Sequence, residues 1–212
     1  GGASEVYKRQ AEVAREAGYA AAPGDDLLAS HLVFSKTVPD VSLNAVANLG
    51  YADCRFLKPV FPGDTLSTES KVIGLKENSS GETGVVHVRS TGRNQKGEIV
   101  LDYVRWVMVR KRDKAHPAPE EDVPHLPAVV GAAHLVAPAG TSFKAFDTVA
   151  SGSSQLWDDY EKGERIDHVD GITIEEAEHM MATRLYQNTA KVHFNQYTEG
   201  KGRFGRRLIY GG

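Results

Sequence analysis

The sequence predicts an α+β fold in which an antiparallel sheet curls around one helix. The apolar run LLASHLVF follows two aspartates, as helices commonly begin, and four strand-like segments come after it with no further helix between them. The turn sequences PGD, ENSSGE and NQKG separate those segments. Direct succession of strands indicates antiparallel pairing, whereas βαβ alternation would indicate a parallel sheet.

Two helices are expected near the start of the chain. The first covers Ala11 to Ala17 and ends at Gly18, because glycine readily adopts the left-handed conformation found at helix ends. The second covers Leu27 to Lys36, with the carboxylate of Asp25 capping its N-terminus and Pro39 stopping it.

The strands are expected at four places: Arg55–Val60, Asp64–Lys76, Thr83–Gly92 and Glu98–Lys111. The last strand carries apolar side chains on both alternating faces, which predicts a central position in the sheet. His87 is expected to pack across the strands or lie at the surface, and Cys54 to be a small core residue. His31, in the second helix, is expected to be a packing residue.

Residues 113–154 hold most of the prolines and show no periodic apolar face, which predicts a linker. No metal site is expected there. Its histidines, His116, His125 and His134, show no repeated spacing typical of metal ligands and have no acidic or cysteine partner fixed beside them. Beyond the linker, the capping-box sequence TIEE predicts a helix from Ile174 to about Tyr186.

A weak internal repeat predicts two structural units. Gly18-Tyr19 matches Arg203-Phe204, and in both places an aromatic residue leads through a short loop towards a helix start. The first unit is expected over 11–112 and the beginning of the second over 155–212. Each unit then lacks a part that the other has, so we expect the chain to be truncated at both ends.

The composition argues against several functions. A net charge of −3 and a pI near 6.3 give no overall field that would attract nucleic acid or an acidic membrane surface. A single cysteine excludes an internal disulfide, and no run approaches the roughly 18 consecutive apolar residues of a membrane span. We therefore expect a cytoplasmic protein that binds neither nucleic acid nor membrane.

The stretch RFLKPVFPGDTL, Arg55 to Leu66, resembles the strand and hairpin after the central helix of MaoC-like dehydratases in the hotdog superfamily. Outside the linker, most of Ala17 to Gly212 is similar to the mesaconyl-CoA hydratase (β-methylmalyl-CoA dehydratase) branch, most specifically in VHFN and GRFGRRLIYGG. The resemblance implies a double hotdog fold with an incomplete second, catalytic unit. It also implies reversible hydration of mesaconyl-CoA to β-methylmalyl-CoA.

The family spacing D-x-N-P-x-H falls on Asn188, Ala190 and His193, so the histidine is kept and the aspartate is replaced. Because an amide cannot take a proton at neutral pH, the resemblance implies that His193 acts as base and acid while Asn188 positions water or substrate. From the residues alone, His193 can instead be a half-buried histidine bonded to a backbone carbonyl, and Asn188 a helix-capping residue.

The resemblance also implies a substrate-binding set. Gly211 matches a glycine whose backbone N–H faces the thioester oxygen at a helix start, with a tight turn as the alternative. Arg203, Arg206 and Arg207 are candidates for the phosphates of coenzyme A or the free carboxylate of the substrate, with solvated surface arginines as the alternative. No cofactor is expected beyond the coenzyme A of an acyl-CoA substrate, and a homo-oligomer is expected.

Three other functions stay open at this point. They are hydration of another enoyl-CoA, non-catalytic binding of acyl-CoA by a hotdog module, and thioester hydrolysis. The missing aspartate permits the binding module, and the family spacing favours a hydratase over a thioesterase.

Overall fold

A computed structural model of the chain describes residues 10–147, 155–169 and 171–210. Contacts divide these residues into a smaller unit of 10–22, 139–147, 155–169 and 171–175 and a larger unit of 23–138 and 176–210. The predicted division into a first unit, a linker and a second unit stays a prediction.

The regular elements of the larger unit, in chain order, are helix α2 (Asp26–Thr37), strands β1 (Ala45–Phe56), β2 (Ser67–Glu77), β3 (Thr83–Arg93) and β4 (Ile99–Arg110), and helices α3 (Glu176–Leu185), α4 (Lys191–Phe194) and α5 (Gln196–Glu199). The smaller unit contains helix α1, residues 10–16, and a 3-10 turn at Trp157–Asp159.

Helix α2 begins where the sequence predicts, because Asp25 caps it. The Oδ1 atom of Asp25 accepts hydrogen bonds from the N–H groups of Leu27 at 2.7 Å and Leu28 at 3.3 Å, which have no partners within the first helical turn. At its other end the helix gives way to one π-helical turn, Val38–Ser42, which contains Pro39. Proline has no N–H to donate, so it ends the α-helical pattern as predicted.

The four strands form one antiparallel sheet in the order β1-β4-β3-β2. Val86 of β3 lies opposite Val107 of β4, and Ser70 of β2 lies opposite Ser90 of β3. Strand β4 is therefore interior, and its Val104 and Val107, which point to opposite faces, are both fully buried. The predicted central position of this strand is confirmed.

Helix α2 crosses one face of the sheet, with Val33 at the centre of the contact. Val33 is fully buried and packs with Val100, Leu101 and Tyr103 of β4. The helix also approaches β3 closely, since a β-carbon added at Gly92 would lie 2.6 Å from Cγ2 of Val33. A residue without a side chain is needed there. This helix-on-sheet layer confirms the predicted α+β fold.

Strand β1 begins at Ala45, so the prediction of a strand at Arg55–Val60 is wrong in position. The segment AVANLGY consists mostly of small and polar residues with weak strand preference. It is extended because it pairs with β4, where Gly50 lies opposite Trp106 and the indole ring covers the glycine. The other three strands match the predicted segments to within three residues at each end.

A β-bulge in β1 reverses the predicted environment of Cys54. Asp53 has a φ of +50°, and the pairing with β4 shifts register between Ala52 and Arg55. Asp53 is turned inward, where its carboxylate lies 2.6 Å from Arg55 and 3.0 Å from Arg89, whereas Cys54 is exposed. The prediction that Cys54 is a core residue is wrong, because the bulge changes which residue faces the interior.

His87 of β3 packs across the sheet, as predicted. It lies opposite Trp106 of β4, and the two rings stack with their centroids 6.0 Å apart. His87 is buried, and this burial lowers the pKa of its imidazole. It therefore belongs to the packing of the sheet.

In the smaller unit, α1 ends at Gly18 as predicted. Gly18 has a φ of +98°, and its N–H donates a hydrogen bond to the carbonyl oxygen of Arg15 at 2.9 Å. The N–H of Ser142 donates to the carbonyl oxygen of Ala17 at 3.0 Å, so the end of α1 is also tied to a later part of the same unit.

The described part of the predicted linker, 113–147, contains a β-bridge between Asp122 and Leu75 and a 3-10 turn at Ala132–His134. Its three histidines are exposed. Across the described residues, no helix has both the length and the apolar character that a membrane crossing requires.

Candidate active site

The predicted catalytic residues lie on the C-terminal helices of the larger unit. Helix α3 falls inside the predicted helix and begins at Glu176 rather than Ile174. Asn188 lies in the loop that follows α3, and His193 lies in α4. The two residues are therefore close in sequence and lie on either side of the start of α4.

His193 has one ring nitrogen bound and the other available. Its Nδ1 lies 3.1 Å from the carbonyl oxygen of Leu208, and because a carbonyl can only accept, Nδ1 must carry the hydrogen. In the neutral ring the lone pair then lies on Nε2, which has no hydrogen-bond partner among the described residues. Burial lowers the pKa of His193, so the neutral form predominates at neutral pH.

Two aromatic rings contact that of His193. The ring centroid of Tyr210 lies 5.2 Å away, and that of His179 lies 6.2 Å away in an edge-on arrangement. His179 in turn accepts a hydrogen bond at Nε2 from the backbone N–H of Tyr210 at 2.8 Å. The backbone bond expected if His193 were merely a packing residue is present, but it leaves Nε2 able to act as a base.

Asn188 is 4% exposed and uses only part of its hydrogen-bonding capacity. Its Oδ1 accepts from the N–H of Ala190 at 2.9 Å, which is a capping contact after α3. Its Nδ2 is buried and has no hydrogen-bond partner among the described residues. Asn188 lies close enough to the hydroxyl of Tyr210 to lower the pKa of that phenol as a hydrogen-bond donor would, although the two form no hydrogen bond of ordinary geometry.

Tyr210 connects this site to helix α2. Its hydroxyl oxygen lies 3.1 Å from Nδ1 of His31, and its ring stacks on Phe34 at 6.2 Å between centroids. Burial raises the pKa of Tyr210, and the neighbouring tyrosines raise it further, so the phenol stays neutral. His31 also stacks on Tyr186 at 4.6 Å, which confirms its predicted packing role.

Sequence reasoning missed Tyr210 and His179. Tyr210 lies in GRFGRRLIYGG, where the family resemblance assigns roles only to the arginines and Gly211. His179 lies on the predicted helix α3, on the same side as Thr183, and both are buried. The four-residue spacing of these polar residues was the available signal.

The three candidate arginines have different environments. Arg203 and Arg206 are exposed, and the Arg203 guanidinium lies 5.5 Å from the ring centre of Phe204. Arg207 is largely covered and forms an ion pair with Glu176 at 3.0 Å. Arg203 and Arg206 are therefore accessible to an anion in solution, whereas Arg207 already has a partner.

The predicted backbone donor of Gly211 lies outside the described residues. Among the residues that the structure does describe, no group of three or more histidine, cysteine, aspartate or glutamate side chains is arranged to hold a metal ion. The described residues thus bring together a neutral histidine with one unpartnered ring nitrogen, a buried amide donor and a neutral phenol.

The sequence matches the family model described as mesaconyl-CoA hydratase over residues 4–212. The chain belongs to the mesaconyl-CoA hydratase family. It is 64% identical over 95% of its length to the mesaconyl-CoA hydratase of Cereibacter sphaeroides and 62% identical over 94% to the β-methylmalyl-CoA dehydratase of Chloroflexus aurantiacus. It covers 58% and 56% of those proteins, so this mesaconyl-CoA hydratase family chain spans little more than half their length.

Solved structures confirm the fold of this family member. A MaoC domain protein dehydratase from Chloroflexus aurantiacus superposes with a TM-score of 0.89 at 60% identity, covering 96% of this chain and 58% of that one. A double-hotdog protein from Mycobacterium tuberculosis superposes with a TM-score of 0.57 at 22% identity, covering 97% of this chain and 62% of that one. The antiparallel sheet with its helix is thus a hotdog unit, as the resemblance implied.

Proposed function

We propose that the whole protein reversibly hydrates mesaconyl-CoA to β-methylmalyl-CoA, with His193 as the catalytic base. The main support is the hydrogen bond between Nδ1 of His193 and the carbonyl oxygen of Leu208, which leaves the lone pair on Nε2. Burial keeps this ring neutral, as a base must be before it accepts a proton. The names of the two similar proteins from Cereibacter sphaeroides and Chloroflexus aurantiacus support the choice of substrate.

The chemistry needs one proton to be moved twice. Nε2 of His193 takes a proton from water while the water oxygen bonds to the β-carbon of the enoyl thioester, and the thioester carbonyl becomes an enolate. The imidazolium of His193 then returns a proton to the α-carbon, which restores the thioester and the neutral histidine. The reaction adds one water without oxidation or reduction, so we propose no cofactor beyond the coenzyme A of the substrate.

Asn188 orients the reactants in this proposal. Because Ala190 fixes its Oδ1, its free Nδ2 is available to donate to the attacking water or to a substrate oxygen. The family spacing has an aspartate at this position, which would share the proton transfer. An amide cannot, so His193 carries both proton steps.

The remaining binding roles follow from exposure and charge. We assign the phosphates of coenzyme A to Arg203 and Arg206, which are exposed, rather than to the ion-paired Arg207. The backbone N–H of Gly211 is the proposed donor to the enolate oxygen, by the family resemblance. We also propose a cytoplasmic homo-oligomer that binds no metal.

The proposal is tested with the full-length protein and two substrates, mesaconyl-CoA and crotonyl-CoA, by following loss of the enoyl absorbance. We expect faster hydration of mesaconyl-CoA, and a fall of at least about 100-fold in His193→Ala, as is usual when a general base is removed. His134→Ala, at an exposed position, is the matched control and should keep wild-type turnover.

Full activity of His193→Ala would contradict the mechanism. The asparagine in place of the family aspartate favours a second candidate, a hotdog module that binds acyl-CoA without converting it. That candidate predicts no turnover of either thioester by the wild type, with binding of both retained.

A further inference from the structure

Arg105 of β4 is a fully buried guanidinium that faces helix α2. It has no accessible surface, and it donates hydrogen bonds to the hydroxyls of Ser42 at 2.8 Å and Thr37 at 2.7 Å. The ring of Phe34 covers it at 4.7 Å from the ring centre. In the described part of the chain, no carboxylate forms an ion pair with Arg105.

The groups around Arg105 do not supply the missing negative charge. The neighbours that act on it electrostatically are tyrosines, and burial raises the pKa of Tyr103 and Tyr210, so both are neutral. The Nε of Arg105 is buried and has no acceptor among the described residues. A buried cation in this state is costly, which points to a counter-ion that is bound as part of function.

Two further buried groups in the same region also lack partners in the described residues. They are the hydroxyl of Tyr103, which lies beside the hydroxyls of Ser90 and Thr37, and Nδ2 of Asn188, which lies beside that of Tyr210; neither makes a hydrogen bond of ordinary geometry, and each can donate one. Tyr210 interacts with both of these residues and with Arg105, and its ring lies beside that of His193. An anion with several acceptor atoms, bound near Tyr210, would give these donors the partners they lack.

We propose that Arg105 binds the free carboxylate of the substrate, at the end of the acyl group opposite to the thioester. This inference rests on the proposed function and defines its substrate class, which is a thioester of a dicarboxylic acid rather than of a simple enoic acid. Arg105 has five N–H groups, of which Ser42 and Thr37 occupy two, so enough remain for a two-point contact with a carboxylate once the covering ring of Phe34 shifts to admit it. We therefore assign binding of the substrate's free carboxylate to Arg105 rather than to Arg203, Arg206 or Arg207.

The test measures binding without turnover. Succinyl-CoA and butyryl-CoA have acyl groups of the same length, cannot be hydrated, and differ in a terminal carboxylate against a methyl group. Calorimetry with the full-length wild type should give at least about 100-fold tighter binding of succinyl-CoA, the usual range for a buried charge pair. Arg105→Met should remove this preference and leave butyryl-CoA binding unchanged, whereas Arg110→Met, at an exposed position on the same strand, should keep it.

Equal affinity of the wild type for the two thioesters overturns the inference, and this comparison needs no variant. Equal weakening of both ligands in Arg105→Met also overturns it, because that result marks a structural role. If Arg105→Met does not fold, Arg105→Lys keeps a cation but loses the two-point contact, and an unreduced preference in it overturns the inference. A wild type that prefers succinyl-CoA yet hydrates no enoyl-CoA would refute the proposed function and support the carboxylate site.

Discussion

Nε2 of His179 accepts a hydrogen bond from the backbone N–H of Tyr210 at 2.8 Å. This bond ties the segment carrying Tyr210 to helix α3, and the ring of Tyr210 packs against that of the proposed base, His193. His179 is 9% exposed, so water cannot readily replace it as the acceptor. We infer that His179 positions the aromatic neighbour of His193.

We expect His179→Leu to lower kcat for mesaconyl-CoA by about 10-fold with a smaller change in KM, since the loss of a buried acceptor costs about 1–3 kcal/mol. His179→Gln offers another acceptor and should restore most of kcat. The measurement is steady-state kinetics of both variants. Equal losses in the two would mean that the hydrogen bond is not what matters.

The pH dependence of turnover follows from the protonation of His193. In the proposed mechanism the unprotonated ring of His193 is the active form, and burial lowers its pKa, so kcat/KM should be constant near neutrality and fall on the acid side. The midpoint of that fall should lie below the ordinary histidine value of about 6.5. A pH profile of the wild type measures it, with His134→Ala expected to give the same profile. A midpoint above the ordinary value would exclude His193 as the buried base.

Asn188→Ala should reduce turnover only partly and also lower stability. The change removes the acceptor of the Ala190 N–H, which is worth about 1 kcal/mol, and the free Nδ2 donor. Thermal unfolding and turnover should be measured beside Thr189→Ala, at an exposed neighbouring position expected to behave as the wild type. Complete loss of turnover in Asn188→Ala would show that the amide does more than orient the reactants.

Arg203→Ala and Arg206→Ala should each raise KM for mesaconyl-CoA and leave kcat nearly unchanged. Both side chains are exposed, so their attraction to the phosphates of coenzyme A is screened by salt. KM of the wild type should therefore rise with ionic strength, and more steeply than KM of the variants. The same salt dependence in wild type and variants would argue against phosphate contacts.

Gly92→Ala should destabilise the larger unit by about 1–3 kcal/mol, as overpacking in a core commonly does. The added β-carbon would meet Val33, the central side chain of the contact between helix α2 and the sheet. Chemical denaturation measures the effect. Gly131→Ala, where the new carbon meets no atom nearer than 3.9 Å, should change stability by less than about 0.5 kcal/mol. Similar stability of the two variants would show that the helix moves freely away from β3.

Much of the fold could be predicted because its signals are local. The Asp25 cap, the stop at Pro39 and the glycine end of α1 depend on residues next to the element they bound. Strand β1 could not be placed, because Ala45 to Ala52 become a strand by pairing with β4, which follows some fifty residues later in the sequence. Cys54 was misplaced for a similar reason, since the bulge at Asp53 is visible only in the pairing register.

The candidate site was predictable in part. His193 and Asn188 were found through a short motif, and the structure adds the partners that give them an orientation, Leu208 and Ala190. His179 and Tyr210 lie 31 residues apart in sequence and are joined by one hydrogen bond. Their pairing is a long-range contact that no local pattern reports.

The sequence by itself determined the hotdog unit, the membership of a hydratase family and the choice of His193 as the proposed base. Those properties depend on hydrophobic periodicity, turn chemistry and motif spacing, which can be read directly from the order of the residues. The tertiary structure alone decided which nitrogen of His193 has no partner among the described residues, and that the buried Arg105 has no counter-charge among them. Both depend on desolvation and on contacts between distant segments, and these exist only once the chain has folded.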